Sequence, residues 1–300
     1  MKAGFAALVG RPNVGKSTLL NRLLGQKLAI VSSKPQTTRG RILGVVNRPE
    51  VQVALLDTPG LHTAKGGLNA RMVQSALQTL ADADVALFLI EAGGPAIDAA
   101  TRKALDQVKA AGKPTLLVVN KIDQVQKPML LPLIDRWKDE HQWSEIYPLS
   151  ALKGDNVPGL VDAIARHLPE GEAMFPPDQW TDASERDLCA ELIREQLLKQ
   201  LDQEVPYSAA VLIEKFDESE RSVGPRGLVR MQATIVLERD SQKAIVIGKR
   251  GARLKEIGTR ARLEMEKLLG AKVFLELHVR VEPRWTETAK GLRRAGYEEK

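Results

Sequence analysis

Three hundred residues are more than one ordinary hydrophobic core organises and point to two domains. A hydrophobic fraction of 43% with 27% charged residues excludes a disordered chain, and the longest apolar stretch of note, "VALFLI" at Val85 to Ile90, falls far short of the roughly 20 residues that cross a bilayer. Net charge is +6, and a single cysteine, Cys189, with four scattered histidines excludes an intrachain disulfide and offers no metal-ligand spacing, so a cytoplasmic chain without integral membrane insertion is expected.

The opening "MKAGFAALVG" places a lysine before an apolar run, as a signal peptide does. It leads into "RPNVGKST" with no small-residue cleavage pattern, however, and reads as a first strand. From Ala3 to about His167, short apolar strands alternate with amphipathic helical stretches, the pattern of a doubly wound α/β domain with a mostly parallel sheet. Expected strands are Ala3 to Val9, Gly40 to Arg48, Val51 to Leu56, Val85 to Ile90, Thr115 to Asn120 and Ile146 to Pro148. The two segments flanking "NRPE" are joined by a turn and predict a hairpin, hence one antiparallel strand in the sheet. At "LPEGEAMFPPDQWTD", Leu168 to Asp182, periodicity is lost and Pro, Gly and acidic residues gather. The expected boundaries are a first domain over 1–172, a linker over 173–184 and a second domain over 185–300.

The second domain opens with Ser184 ahead of apolar residues at Leu188, Leu192, Ile193, Leu197 and Leu201, and Ser184 with Asp187 resembles a capping box. Pro206 ends that helix. The alternating segments "SAAVLIEKF" and "LVRMQATIVLE" follow, then "SQKAIVI", a glycine turn, a helix with Leu254, Ile257, Ala261, Met265 and Leu268 at spacings of three and four, and "KVFLELHVRV". The expected order is α-β-β-α-α-β, an α+β domain. Cys189 on its first helix reads as a small core residue.

"GRPNVGKS", Gly10 to Ser17, satisfies G-x-x-x-x-G-K-[ST] directly after a strand and before a helix. In that setting the backbone N–H groups of Gly10, Asn13, Val14, Gly15, Ser17 and Thr18 face phosphates at a helix N-terminus. Lys16 reaches the β- and γ-phosphates, and the Ser17 hydroxyl ligates Mg2+. "LLDTPG" ends a strand at Asp57, whose carboxylate would hold the metal through water, with the Gly60 N–H toward the γ-phosphate. "NKID" supplies Asp123, which would accept from the N1 and N2 donors of guanine, whereas adenine would leave the carboxylate without matched donors. Asn120 would fix that loop and Lys121 lie along the base. "SAL", at Ser150, Ala151 and Leu152, would give a backbone donor to the guanine oxygen. The ligands expected are GTP and GDP.

Taken in order, "GRPNVGKS", "TTR", "DTPG", "NKID" and "SAL" resemble a translation-factor-type P-loop GTPase over residues 10–152. The chain is most similar to the Era family, because Pro12 and Asn13 stand in the P-loop, "PQTTRGRI" fits the first switch, and the C-terminal half matches too. The resemblance implies GTP hydrolysis with Lys16, Thr38, Gly60 and Asn13 as the catalytic set. Thr38 would complete the magnesium shell, with Thr37 a lesser candidate, and K+ held partly by Asn13 would supply some of the charge that an arginine finger gives elsewhere. Leu61 follows "DTPG" where many small GTPases carry a water-orienting glutamine, and His62 is the adjacent imidazole. Slow intrinsic turnover is implied.

"GKRG", Gly248 to Gly251, has no lysine-hydroxyl pair after its last glycine and so is not a second nucleotide loop. A lone GXXG is usually a helix–helix connection, but here Lys249 and Arg250 lie inside the turn and the element order fits a KH domain, of type II, whose turn clamps single-stranded RNA. Positive charge concentrates there as well: residues 239–262, including Lys243 and Arg253, hold 8 basic against 2 acidic residues, while 173–300 as a whole hold 23 against 22. By resemblance the partner is 16S-type ribosomal RNA near its 3′ end in the 30S-type subunit, with no DNA and a monomeric chain. Two other readings stand beside it: a signalling or membrane-peripheral GTPase whose KH-like domain contacts proteins, and a nucleotide sensor that does not turn over. Trp285, just past the last strand, reads as packing under the sheet rather than stacking on a base.

Overall fold

Parallel strands buried on both faces must be apolar almost throughout, and that is how the first unit is written. The computed structural model describes residues 1–32, 34, 37–59, 67–94, 97–201, 205–224 and 227–297. Two compact units divide the chain between Asp182 and Ala183, except that residues 67–69 group with the second unit while the rest of their helix belongs to the first. The first contains β1 (Lys2–Gly10), α1 (Lys16–Leu24), β2 (Ile42–Arg48), β3 (Val51–Asp57), α2 (Gly67–Asp82), β4 (Val85–Glu91), α3 (Ala99–Ala111), β5 (Thr115–Asn120), α4 (Leu130–Lys138), β6 (Glu145–Pro148) and α5 (Val157–Ala165). The sheet runs β2-β3-β1-β4-β5-β6, with β2 antiparallel to β3 and the other pairs parallel. The C-terminal ends of β1, β3 and β5 deliver Gly10, Asp57 and Asn120 to one edge of the sheet, where ligands of open α/β folds bind.

The structure departs from the sequence reading in two places here. Strand β2 begins at Ile42 and not at Gly40. The chain just before it is drawn inward, since Thr38 and Arg39 are each 6% exposed, and the Thr38 hydroxyl bonds to Asp57 instead of joining the hairpin. The stretch read as a linker, 173–184, is mostly bound to the first unit. Buried Gln52 on β3 accepts from the Met174 and Phe175 amides at 2.6 and 2.9 Å and donates to the Phe175 carbonyl at 2.8 Å. Beyond it, the Val45 N–H meets the Trp180 carbonyl at 2.9 Å and the Thr181 hydroxyl meets the Leu43 carbonyl at 2.7 Å. The segment thus covers the free edge of β2, an exposed ladder that would otherwise invite pairing with another chain.

The second unit contains α6 (Glu185–Gln200), β7 (Ala210–Glu220), β8 (Leu228–Leu237), α7 (Asp240–Ile247), α8 (Ala252–Leu269), β9 (Lys272–Val281) and α9 (Ala289–Arg294). Its sheet is β7-β8-β9, with β7 antiparallel and β9 parallel to the central β8. The first six elements follow the expected α-β-β-α-α-β order. At the start of α6 the Ser184 hydroxyl oxygen accepts the Asp187 N–H at 3.1 Å while donating to the Asp187 carboxylate at 2.8 Å. Cys189 is fully buried in the core, and burial pushes its thiol up to about 12, which makes it inert. Trp285 is also fully buried. Its Nε1–H reaches the Ser208 carbonyl at 2.9 Å, and its ring stacks on Tyr297 with centroids 5.6 Å apart. The short helix α9, which the apolar spacing does not announce, closes over it.

Candidate functional site

The loop between β1 and α1 is shaped by left-handed residues: Asn13 at φ 65° and Gly15 at φ 101°. A side chain at Gly15 is excluded twice, by that conformation and because its Cβ would stand 2.2 Å from the Asn120 amide nitrogen. Gly15 is the N-cap of α1 and provides no side chain to satisfy the helix's first N–H groups, so these are left for an anion. Lys16 lies under the loop, 7% exposed, with Nζ donating to the Gly10 and Arg11 carbonyls at 3.1 and 2.9 Å. Asn13, Gly15, Lys16, Ser17, Thr18 and Thr38 line a single pocket.

Two hydroxyls that line that pocket, those of Ser17 and Thr38, converge with an oxygen of buried Asp57. The Ser17 hydroxyl donates to Asp57 Oδ2 at 2.7 Å, the Thr38 hydroxyl to the same oxygen at 3.0 Å, and the two hydroxyl oxygens are 3.1 Å apart. The Thr37 hydroxyl points elsewhere, donating to the Lys34 carbonyl at 2.7 Å. Asp57 is fully buried. Burial raises its pKa, opposed by Lys16, by the Ser17 and Thr38 hydroxyls and by the Thr58 amide. Its Oδ1 nevertheless has no hydrogen-bond partner among the described residues. An unpaired buried carboxylate oxygen beside two hydroxyls is a hard-oxygen donor set, and it fits Mg2+, which takes few protein ligands together with phosphate and water.

The base side is tied to the phosphate loop by Asn120. Its Nδ2 donates to the Val14 carbonyl at 2.8 Å, and its Oδ1 accepts from the Lys121 and Ala151 amides at 2.8 and 3.0 Å. Of the backbone N–H groups of "SAL", that of Ala151 is therefore engaged by Asn120 in this structure. Lys121 is left-handed at φ 64° and its Nζ pairs with Glu91 at 2.6 Å. Asp123 is exposed, with one carboxylate oxygen accepting from Ser150 Oγ at 2.6 Å. Leu152 is 62% exposed. Arg22 on α1, which the motifs do not mark, donates to the Ala151 carbonyl at 3.1 Å and also to the Leu152 carbonyl. Gly60, Leu61 and His62 lie outside the described residues.

In the second unit, α7 ends at Gly248 (φ 69°), Arg250 is left-handed at φ 52°, and α8 begins directly after Gly251. A Cβ at Gly248 would come within 2.7 Å of the Arg253 Cβ, so the tight turn requires glycine there. Lys249 and Arg250 are exposed and Lys243 is half-buried. Arg253 is exposed as well, but its Nη1 donates to the Ile245 carbonyl at 3.0 Å and so caps the end of α7. Ile245 itself is 41% exposed, giving an apolar surface beside the cationic turn.

A family model for 50S ribosome-binding GTPases matches residues 5–121, and one for KH domains matches residues 204–286. The GTPase Era of Syntrophus aciditrophicus is 48% identical over 298 residues, covering 99% of this chain and 96% of that protein. The GTPase Era of Geobacter metallireducens is 47% identical over 296 residues, with 99% and 98% covered. The chain belongs to the Era family of GTPases. A crystal structure of an Aquifex aeolicus Era variant bound to GDP and AlF4− matches with a TM-score of 0.94 at 44% identity, covering 100% of both chains. A crystal structure of Era with MgGDPNP and nucleotides 1506–1542 of 16S ribosomal RNA matches equally, with a TM-score of 0.94, 44% identity and 100% of both chains covered.

Within this Era-family site, Lys16 leads to a pH prediction. Burial lowers its pKa to about 8, against a smaller raising effect of Asp57. Bound phosphate favours the ammonium form, so proton uptake accompanies binding once the free lysine begins to lose its proton. GDP affinity is expected to be level between pH 7 and 7.5 and to fall as pH rises past 8. At pH 8, where about half of the free lysine is neutral, titration calorimetry in buffers of different ionisation enthalpy should show uptake of about half a proton. An affinity that stays level up to pH 9 would contradict the lowered pKa of this lysine.

Proposed function

We propose that the protein is an RNA-binding GTPase switch in small ribosomal subunit assembly. The P-loop unit binds and hydrolyses GTP, and the KH unit holds single-stranded ribosomal RNA near the 3′ end of the small-subunit RNA. The observation that carries the nucleotide half is the buried, unpartnered Asp57 Oδ1 beside the Ser17 and Thr38 hydroxyls. Mg2+ held by Ser17 and Thr38, and by Asp57 through water, would offset the charge of the β- and γ-phosphates. Lys16 contacts those two phosphates, and the N–H groups from Asn13 to Thr18 cradle the rest. Asp123 and Asn120 select and seat guanine, with Ser150 holding the Asp123 carboxylate in place.

The RNA half rests on the exposed Lys249 and Arg250 in a KH turn and on the full-length likeness to an Era solved with small-subunit RNA. The description of the family model for the first unit names the 50S particle, but that model reaches only residue 121 and leaves the KH unit out. The small-subunit reading is therefore the one we adopt. We take the protein to act as a cytoplasmic monomer. Among the described residues no helix is long and apolar enough to cross a membrane.

Turnover tests the proposal. With Mg2+ present, multiple-turnover GTP hydrolysis is expected to be slow and to fall about tenfold when NaCl replaces KCl, with little change in GTP affinity, because a cation at Asn13 acts on charge that develops in the transition state. Asn13→Ala should remove the difference between the two salts. Equal wild-type rates in sodium and potassium would contradict the role of Asn13, and no turnover in either would leave a nucleotide sensor.

A further inference from the structure

The loop that carries "SAL" is held by something the nucleotide motifs do not include. Arg22 projects from α1 and donates through Nε to the Ala151 carbonyl at 3.1 Å and through its guanidinium to the Leu152 carbonyl. Two adjacent carbonyls held by one planar fork leave little freedom for the backbone between them. The same loop presents Ser150, which is fully buried, donates from Oγ to Asp123 at 2.6 Å and accepts the Lys153 N–H at 3.0 Å. The first residues of α1, Lys16 to Thr18, line the phosphate pocket. One nine-residue helix therefore touches the phosphate pocket at its start and the base loop with its seventh residue.

We infer that Arg22 is a positioning residue for guanine specificity: it fixes the 150–152 backbone so that Ser150 holds the Asp123 carboxylate in register for guanine, coupling that register to the helix that binds the phosphates. This rests on the assignment of Asp123 to guanine made above. Arg22 is not among the residues that line the phosphate pocket. It acts through two carbonyls, one hydroxyl and one carboxylate.

The consequence is a loss of discrimination rather than of phosphate binding. IDP lacks only the exocyclic amino group of GDP, so the ratio of IDP to GDP dissociation constants reports the Asp123 contact while the phosphate contacts cancel. Arg22→Ala should reduce that ratio about fivefold to tenfold, mainly by weakening GDP. Arg22→Lys, which keeps a donor but not the fork, should give an intermediate ratio. A loss of structure alone would weaken GDP and IDP equally and leave the ratio where it was, and melting of each variant with saturating GDP checks that it is folded. Asp123→Asn measured beside them separates the two levels of the argument. If Asp123→Asn changes base preference and Arg22→Ala leaves the ratio unchanged, the inference about Arg22 is wrong. If Asp123→Asn leaves base preference unchanged, the guanine assignment itself fails.

Discussion

Replacing Asp123 with Asn is expected to weaken GDP and GTP by about a thousandfold while improving the binding of xanthine nucleotides. The carboxylate offers two acceptors to the N1 and N2 donors of guanine, and hydrogen bonds to a charged group contribute about 1.5–3 kcal/mol each. The substitution turns one acceptor into an amide donor, which then faces the guanine amino group as donor against donor. Xanthine carries a carbonyl at that position and restores the match. Ser150 Oγ can still donate to the remaining oxygen, so the loop should keep its shape and the change should be confined to base choice. Competition between GDP and XDP for each protein measures it directly. Unchanged preference would move guanine recognition away from "NKID".

The double substitution Lys249→Asp/Arg250→Asp is expected to reduce RNA affinity at least a hundredfold, with melting temperature and GDP affinity essentially unchanged. Both side chains are exposed and neither belongs to the core of the second unit. Gly248 and Gly251, whose positive φ angles set the turn, are retained. Two positive charges at the phosphate backbone become two negative ones, so attraction is replaced by repulsion at the point of closest approach. Arg253 is a poorer choice for such a test, because its contact with the Ile245 carbonyl ends α7, and a lost cap would mix stability into the readout. Retained RNA binding in a gel shift would make the basic cluster a solvated face and favour a protein-binding role for the KH unit.

Much of this is legible in the sequence. The strands β1, β3, β4 and β5 stand out because parallel strands buried on both faces leave nearly continuous apolar runs, and the phosphate loop because its residues are neighbours in the chain. The α-β-β-α-α-β order was equally legible, since each element has its own period. Contacts that join distant positions through single side chains were not. Gln52 reaches residues more than 120 positions away, and its only trace in the sequence is one amide within "VQVALLD". Its burial at 1% exposure turns what reads as a linker into the cover of a strand edge. Arg22 is hidden in the same way: an arginine late in an amphipathic helix looks like an ordinary solvated charge until the Ala151 and Leu152 carbonyls are placed beside it. The choice between Thr37 and Thr38 likewise depends on geometry, and Thr38 is the one whose hydroxyl reaches Asp57.

That the second glycine turn is a phosphate clamp in its own right, carried by the second unit, is tested most directly by the salt dependence of RNA binding. The probe is a single-stranded RNA of the small-subunit 3′ end, titrated in increasing KCl against the wild-type protein and Lys249→Ala/Arg250→Ala, both held with GDP. Each phosphate contact to a single strand contributes about 0.7 to the slope of log K against log salt concentration. The wild type should show a steep fall, and the double variant a slope shallower by about 1.4, with GDP affinity the same in both. Equal slopes for the two proteins would contradict the clamp.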